Sequence, residues 1–511
     1  MTASSPRVYI VGAGPGDPSL ISLRGYRCLT RADVVIYDHR VQARLLRWAP
    51  AAAERIDVGP SSTKPLEQDA VALLVAEKAR EGRIVVRLKW GDPFVFDTGG
   101  KETLLLAEHG IPFEIIPGIP AAIAAPAYAG IPVTYPAAGD TLVIIRGAET
   151  ATTEPPDVDW AALAKMDGSI VCYAGPRQLP SIAKALVSHG RAADEAAVLI
   201  RNGTLPSQQT TVTTLGALAA AVDERRTSLL IVGAPADLRE HLRWFDRRPL
   251  FGKRVAVTRS RDQARELVER IEDAGAEAIE VPLFSVAPPE DATGLVDAVT
   301  AVDTFDWIVF TTATAVEQFL GVLLAGAHDT RSLKGVKLCA VGPSAADRLA
   351  AFGIKADLAP AEFGVTAVAD AIGTAKGARV LILRPGHARG DLASVLGERG
   401  ATVTDVIAYR TIQPPEAGQD IYRMLLDGKV DAVTFASPSS VTQFVELIGR
   451  DPAIDLLSTT VVAAIGPVTA EAARQLGLTV QVVPERYDVD GLLDALIEYF
   501  RLLAPDSGLQ T

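Results

Sequence analysis

A glycine-rich loop near the start of the chain, GAGPGDP at residues 12–18, follows a short β-branched run and precedes a predicted helix at 23–29 that Ser19 is expected to cap. A strand, a glycine turn and a helix in this order bring the backbone close to a ligand. The spacing departs from the dinucleotide fingerprint G-x-G-x-x-G, because Pro15 lies among the glycines. The loop predicts a small-molecule site or, alternatively, a turn without a ligand.

Two aspartates follow predicted strands of the first half. Asp38 comes directly after the strand at 33–37, and Asp92 follows the strand at 84–88. Ligands of open α/β sheets bind at the carboxyl ends of the strands, where a carboxylate can accept a proton. Each aspartate is equally well explained as the cap of a turn or helix.

Hydroxyl groups and glycines follow four predicted strands of the second half. Each of these stretches begins a helix, where hydroxyls and free N–H groups bind anions. Simple helix capping explains any one of them, but four along the edges of a sheet favour a cleft for an anionic ligand. The residues are Thr311 and Thr312, the turn at 342–344, the turn at 437–440 with Ser437, and the turn at 466–469 with Gly466 and Thr469.

The second half contains an internal duplication that supplies these strand ends. VAVTRSRDQARELVERIEDAGAEAIEVP, which starts at Val255, is echoed by VLILRPGHARGDLASVLGERGATVTDVI from Val380. FDWIVFTTATAVEQF is likewise echoed by VDAVTFASPSSVTQF. Strands and helices alternate in each copy, which predicts parallel sheets covered by helices. A repeat this long is typical of domain duplication and not of a solenoid.

A polar joint precedes the duplication. Arg247, Arg248 and Pro249 end a helical segment, and Gly252 precedes a new strand at 254–258. Proline stops a helix and glycine relaxes the backbone, so the joint predicts a boundary between two globular halves. We expect domains at 1–246 and 252–504; an ordinary surface loop within one large domain is the alternative.

Composition limits the classes of function. The chain has 511 residues and a formal charge of −12 at pH 7, which argues against nucleic acid as the main partner. Three separated cysteines predict buried thiols in a reducing compartment, and we expect a cytoplasmic protein. The scattered histidines give no metal-binding pattern, and prolines interrupt the most apolar stretch at 111–133, so neither a metal site nor a membrane span is expected.

The motifs of the first half resemble the tetrapyrrole methylases. They are GAGPGDP, the pair Tyr37-Asp38, VRLK-x-GDPFVF, PGI with AAPAYAGIPVT, and CYAG. The resemblance implies two α/β subdomains, near 7–135 and 140–245, with S-adenosylmethionine between them, and a tendency to form homodimers. It places Asp38 on the family's proposed proton acceptor. The positions that it assigns to the methyl donor are Pro15, Trp90, Gly91, Asp92, Val95, Ala121, Ala174 and Gly203.

Several positions depart from the family pattern on the substrate side. Pro60 stands where the family has a lysine proposed as proton donor, and Thr98 and Pro136 replace arginines. Trp90 replaces a glycine. Because basic side chains would pair with the carboxylates of a porphyrinogen, we expect the donor to bind while methylation is slow or absent.

The motifs of the second half resemble uroporphyrinogen-III synthase. They are VTR, FTTATAV, AVGP, VIAYRT, TFASPS and AIGPVTA. The resemblance implies two flavodoxin-like lobes, at 253–286 with 415–500 and at 290–412. It also implies cyclisation of hydroxymethylbilane with inversion of ring D, without a metal or cofactor. Tyr409 falls on the tyrosine proposed as the acid, with packing at the linker as its alternative, and the substrate-contacting positions are Thr311, Thr312, Ser437, Gly466 and Thr469.

The two halves together predict a fusion of consecutive enzymes. The product of the second half, uroporphyrinogen III, is the substrate that the first half would methylate to precorrin-2. The alternative is a synthase whose methylase-like half is degenerate and serves as a scaffold or as an S-adenosylmethionine-binding regulator. The expected partners are therefore small tetrapyrroles, with neither nucleic acid nor membrane.

Overall fold

The computed structural model describes residues 7–38, 41–59, 68–136, 139–148, 152–221, 228–233, 235–259, 261–283, 285–326, 328–360, 364–373, 376–386, 391–412 and 417–503. The chain divides into two compact units. The first comprises Met1–Val255, Glu269–Ala278 and Leu493–Thr511, and the second comprises Ala256–Val268 and Ile279–Leu492. The predicted domain, subdomain and lobe bounds stay predictions.

Strands and helices alternate through the first half of the chain. The strands are β1 Val8–Gly12, β2 Val34–Tyr37, β3 Glu54–Asp57, β4 Val85–Lys89, β5 Phe113–Ile116, β6 Leu142–Arg146, β7 Ser169–Ala174, β8 Ala196–Arg201, β9 Gln209–Thr214 and β10 Ser228–Val232. The helices are α1 Leu23–Leu29, α2 Ala43–Leu46, α3 Gln68–Arg80, α4 Gly99–Glu108, α5 Ala121–Tyr128, α6 Trp160–Lys165, α7 Leu179–Ser188, α8 Leu218–Ala221 and α9 Arg239–Leu242.

The second half continues the alternation. Its strands are β11 Arg254–Val257, β12 Glu277–Glu280, β13 Ser285–Ala287, β14 Trp307–Phe310, β15 Lys337–Ala340, β16 Arg379–Pro385, β17 Thr402–Ile412, β18 Ala432–Phe435 and β19 Val461–Ala464. Its helices are α10 Arg261–Asp273, α11 Thr293–Thr300, α12 Ala313–Ala325, α13 Pro343–Ala351, α14 Val365–Ile372, α15 Asp391–Glu398, α16 Ala417–Leu426, α17 Pro438–Ile448, α18 Arg450–Leu457, α19 Pro467–Gln475 and α20 Val489–Leu503.

Two sheets build the first half. The first has the order β3-β2-β4-β1-β5 and is parallel throughout. Its central strands are buried on both faces, which explains their nearly continuous apolar sequences. The second has the order β6-β7-β10-β8-β9, in which β6 and β7 are parallel and the other pairs are antiparallel.

Two further sheets build the second half, with the orders β12-β11-β18-β19 and β13-β17-β16-β14-β15. The α/β prediction is confirmed, and β14, β15, β16 and β17 pair in parallel as expected. The short strand β13 runs antiparallel to the end of β17, with Ala287 opposite Arg410. Each sheet has its own core, centred on Phe310 and Phe319 in one and on Phe435 and Phe444 in the other.

The predicted cap of α1 is wrong by three residues. The Ser22 hydroxyl accepts a hydrogen bond from the Gly25 amide at 3.1 Å and caps the helix. Ser19 instead lies in a 3₁₀ turn, Pro18–Leu20, which the Asp17 carboxylate caps. Pro18 has no amide hydrogen and a fixed φ, so it begins this separate turn. No helix among the described residues is long and apolar enough to cross a membrane.

Candidate functional site

Three loops meet backbone to backbone at the carboxyl end of the first sheet. The amide and carbonyl groups of Gly14 and Gly91 form two hydrogen bonds, of 3.2 and 2.9 Å. A Cβ atom on Gly118 would lie 2.1 Å from the Gly91 oxygen and 2.8 Å from the Gly12 Cα. Side chains are therefore excluded at these contacts, and the glycines let the loops after β1, β4 and β5 join.

Asp92 ties two of these loops together. Its Oδ1 accepts a hydrogen bond from the Phe94 amide at 2.8 Å, and its Oδ2 accepts one from the Gly118 amide at 3.0 Å. Both carboxylate oxygens thus bind backbone N–H groups. The structure gives Asp92 the capping geometry that the sequence left as one alternative, at a position that the family resemblance assigns to the donor.

Residues next to the positions predicted to bind the methyl donor make hydrogen bonds between the two sheets of the first half. The amide of Asp17, two residues after Pro15, donates to the Thr204 hydroxyl at 3.0 Å, beside Gly203. Next to Ala121, the Ala122 amide donates to the Tyr173 hydroxyl at 2.8 Å. The loop after β1 and the start of α5 therefore contact the loop after β8 and the end of β7, which carries Ala174.

Trp90 extends this contact through an aromatic cluster. Its ring meets that of Tyr173 edge to face, with the centroids 6.3 Å apart, and the Phe96 ring meets Tyr173 at 5.9 Å. Phe96 has a φ of +58°, in the left-handed region that non-glycine residues rarely adopt. Its side chain and that of Val95 are each 38% exposed. Side chains from both sheets thus present partly accessible apolar surface beside the predicted donor residues.

Asp38 lies at the rim of a buried network of charges. The Arg87 guanidinium contacts Asp38 at 2.6 Å and Glu102 at 2.9 Å. The Lys89 ammonium lies 2.8 Å from Glu102, 2.8 Å from Asp97 and 3.6 Å from Asp38. Arg87, Lys89 and Glu102 are at most 2% exposed, whereas Asp38 keeps 24% of its side chain accessible.

The network stabilises the charged forms of Glu102 and Arg87. Burial alone would raise the pKa of the Glu102 carboxyl, but the cations of Arg87 and Lys89 outweigh it and hold that pKa below its usual range. Burial would likewise lower the pKa of Arg87, yet the carboxylates of Glu102 and Asp38 keep it above its ordinary value. Among the described residues of the cluster, two cations face three carboxylates, which gives these five side chains a formal excess of one negative charge.

The departures from the family pattern occupy different environments. The Thr98 hydroxyl lies 2.9 Å from the Lys89 ammonium and 3.2 Å from Glu102, so it belongs to the charge network. Tyr135 is 41% exposed and Pro136 is also exposed. Pro60 lies outside the described residues.

The sheet β13-β17-β16-β14-β15 brings Thr312 and Tyr409 together. Their hydroxyl oxygens are 3.2 Å apart, and the Thr312 hydroxyl also accepts from the Ala315 amide at the start of α12. Thr311 donates its hydroxyl hydrogen to the Leu383 carbonyl at 2.9 Å. Tyr409 is 6% exposed and belongs to the core beside β14. Tyr409 thus contacts a residue that is predicted to bind the substrate. Its burial in the core is also what the alternative role in packing predicts.

The sheet β12-β11-β18-β19 places the other candidates after two neighbouring strands. Ser437 caps α17 by accepting from the Ser440 amide at 3.2 Å, and it lies 2.9 Å from the Ser439 hydroxyl. Gly466 precedes α19 without a side-chain cap. Thr469, in the first turn of α19, is buried. Because β18 and β19 are adjacent and parallel, these residues lie along one edge of the sheet.

Arg87, Lys89, Glu102 and Asp97 were not among the predicted site residues. The sequence VVRLK does indicate such a network, because it places two cations in a strand whose residues are all buried, and buried cations need anionic partners. Their anionic partners lie after β2, in the loop after β4 and in α4, and only the folded structure brings them together.

Two family models match the chain: Tetrapyrrole (Corrin/Porphyrin) Methylases over residues 7–219 and Uroporphyrinogen-III synthase HemD over residues 265–494. The porphyrin biosynthesis protein HemD of Ruminiclostridium josui is 33% identical over 499 residues, which is 96% of this chain and 97% of that protein. The S-adenosyl-L-methionine-dependent uroporphyrinogen III methyltransferase of Methanosarcina barkeri is 40% identical over 246 residues, covering 47% of this chain and 96% of that protein.

Among solved structures, uroporphyrin-III C-methyl transferase from Thermus thermophilus, complexed with S-adenosyl homocysteine, is 33% identical. The match covers 44% of this chain and 97% of that one, with a TM-score of 0.38.

Proposed function

Since the chain belongs to the tetrapyrrole methylases in its first half and to the uroporphyrinogen-III synthases in its second, we propose that it catalyses two consecutive steps of tetrapyrrole biosynthesis. The second half cyclises hydroxymethylbilane to uroporphyrinogen III with inversion of ring D. The first half methylates that product with S-adenosylmethionine to give precorrin-2. Full-length likeness to a porphyrin biosynthesis protein supports the fusion, and the buried free cysteines suit a reducing cytoplasm.

The synthase reaction requires the protein to bind a flexible linear substrate in one folded conformation. Hydroxide leaves the hydroxymethyl carbon, and the substituted carbon of ring D attacks the resulting cation. Tyr409 would donate a proton to the departing hydroxide, and Thr312 would hold the phenol in position. The starts of α12, α17 and α19 would supply hydroxyl and amide groups to the substrate carboxylates.

For methyl transfer, a pyrrole carbon forms a bond to the methyl group while the sulfur–methyl bond breaks and its electron pair stays on sulfur. The methylated macrocycle carries a positive charge and restores its neutrality by losing a proton from another position, which Asp38 would accept. The charge network supports this assignment, because it holds the Asp38 carboxylate 2.6 Å from Arg87 while 24% of the Asp38 side chain stays accessible. Burying the charged groups of Arg87, Lys89 and Glu102 is costly for folding, and such clusters occur at functional sites more often than elsewhere.

Uroporphyrinogen III supplied with S-adenosylmethionine tests the first half directly. Wild type should form precorrin-2, and Asp38→Asn should form it at least a hundredfold more slowly because the amide cannot accept the proton. Asp69→Asn is the matched control, since the Asp69 side chain is 62% exposed and forms an ion pair with Lys101 on the surface. Equal rates for Asp38→Asn and wild type would remove Asp38 from the mechanism.

The second candidate function is a synthase with a methylase-like half that binds the donor without using it. The loss of cationic side chains at Thr98 and Pro136 favours it. In that case calorimetry would detect binding of S-adenosylhomocysteine, while the assay with uroporphyrinogen III would give no methylated product.

A further inference from the structure

The aromatic cluster of Trp90, Phe96 and Tyr173 adds a feature to the proposed donor site. Trp90 stands where the family pattern described above has glycine, so the cluster contains a ring that this pattern lacks. Its members come from two sheets, with Trp90 and Phe96 after β4 and Tyr173 in β7. The positive φ of Phe96 is a strained conformation that the surrounding loop must hold.

The cluster lies next to the reacting groups. Tyr37 is opposite Leu88 in the parallel pair of β2 and β4. Asp38 and Lys89 follow these residues, with their side chains 3.6 Å apart, and Trp90 comes directly after Lys89. A methyl donor whose reaction is completed by proton transfer to Asp38 must hold its sulfur close to this strand end. Trp90 is half-buried there, so part of its surface can contact a ligand.

The donor and its product differ in one property that aromatic rings recognise. S-adenosylmethionine carries a positive charge on sulfur, whereas S-adenosylhomocysteine has a neutral thioether at that position. A cation over an aromatic face is attracted by the ring quadrupole, and tryptophan gives the strongest effect. The excess negative charge of the neighbouring network favours the cation as well.

We propose that Trp90, together with Phe96 and Tyr173, forms an aromatic cage that binds the sulfonium group and makes the chain prefer S-adenosylmethionine over S-adenosylhomocysteine. This inference rests on the proposed donor site. The cage would release the product once the methyl group, and with it the positive charge, has left the sulfur. Trp90 is then a specificity residue and not merely a side chain that narrows the pocket.

Calorimetric titration of the full chain with each of the two ligands tests the proposal. Trp90→Leu should reduce the preference for S-adenosylmethionine roughly two- to thirtyfold, the usual range of a cation–π contact. Trp90→Phe should keep most of the preference because it retains an aromatic face. Phe96→Leu should reduce the preference as Trp90→Leu does, and thermal unfolding of each variant checks that it is folded.

Three results would overturn the cage. One is an unchanged preference in folded Trp90→Leu and Phe96→Leu. Another is tighter binding of both ligands by the same factor in Trp90→Gly, which would show that the ring only occupies space. The third is a wild-type chain that binds neither ligand, and this result alone would also refute the donor site of the proposed function.

Discussion

Single residues of the first half derive their roles from the charges around them. Asp38 by itself is an ordinary aspartate after a strand, but Arg87 fixes its orientation and Lys89 lies within 3.6 Å. The buried carboxylate of Glu102 forms ion pairs with both cations. The acceptor proposed for the methylase reaction is thus one member of a group in which Arg87, Lys89 and Glu102 are nearly inaccessible to solvent.

Glu102→Gln should destabilise the first half strongly. The substitution leaves two buried cations without their shared carboxylate, and breaking a buried ion pair on one side costs about 3–5 kcal/mol. Glu108→Gln, at the exposed end of the same helix, should change the free energy of unfolding by less than about 0.5 kcal/mol. Denaturant titration of both variants measures the difference, and equal midpoints would contradict the account of the network.

The same carboxylate predicts how stability depends on pH. The pKa of Glu102 is lower in the folded state than in the unfolded chain, where it is about 4.3. Its contribution to stability is therefore complete above that unfolded value and is lost as the pH falls through the folded value. Wild type should lose stability more steeply than Glu102→Gln below about pH 4, as followed by thermal unfolding. Parallel pH profiles would show that the carboxylate is not held in its charged form.

Tyr409→Phe should slow cyclisation of hydroxymethylbilane by about 10²–10⁴-fold while leaving the fold intact. The change removes only the hydroxyl that lies 3.2 Å from Thr312. Tyr422→Phe, on the partly exposed face of α16, is the matched control. A Tyr409→Phe rate equal to that of wild type would leave Tyr409 with its packing role alone.

At the scale of elements, the strand ends were the most predictable feature. The predicted strands at 33–37, 84–88 and 254–258 agree with β2, β4 and β11 to within one residue at each end. The cap of α1 was not predictable in the same way, because Ser19 and Ser22 are chemically equivalent and Pro18 decided between them. The pairing of Arg87 with Glu102 depends on how α4 packs, which no local pattern contains.

Gly118→Ala should disturb the meeting of the three loops. The added methyl group would lie 2.1 Å from the Gly91 oxygen, so the backbone must shift, at a cost of about 1–3 kcal/mol. Binding of S-adenosylmethionine should weaken as well, because this shift of the backbone would move the loops after β1 and β4 apart. Gly100→Ala is the control, because nothing lies within 4 Å of its Cβ position and alanine favours the helix. Equal stability and donor affinity in the two variants would contradict the close packing of these loops.

At the scale of the whole molecule, the duplication predicted two similar sheets in the second half, and the structure contains them. The antiparallel pairs of the second sheet were not predicted, because β8, β9 and β10 carry no pattern that fixes their direction. The conformation of the aromatic cluster could not be predicted from the sequence either, since it depends on contacts between residues that lie far apart in the chain.

The fusion has a chemical logic, because uroporphyrinogen III leaves one half as product and enters the other as substrate. The thiols of Cys172 and Cys339 are buried, which raises the pKa of each to about 12 and keeps them protonated. The departures at Thr98 and Pro136 predict that methylation is the slower of the two reactions, because each removes a cationic partner of the substrate.

The central claim is tested most directly by giving the full-length chain hydroxymethylbilane, with and without S-adenosylmethionine, and separating the products chromatographically. We expect uroporphyrinogen III without the donor, and a slower conversion of that isomer to precorrin-2 when the donor is present. Uroporphyrinogen I as the only cyclic product would contradict the synthase assignment. Uroporphyrinogen III that stays unmethylated after prolonged incubation with the donor would contradict the claim of two activities.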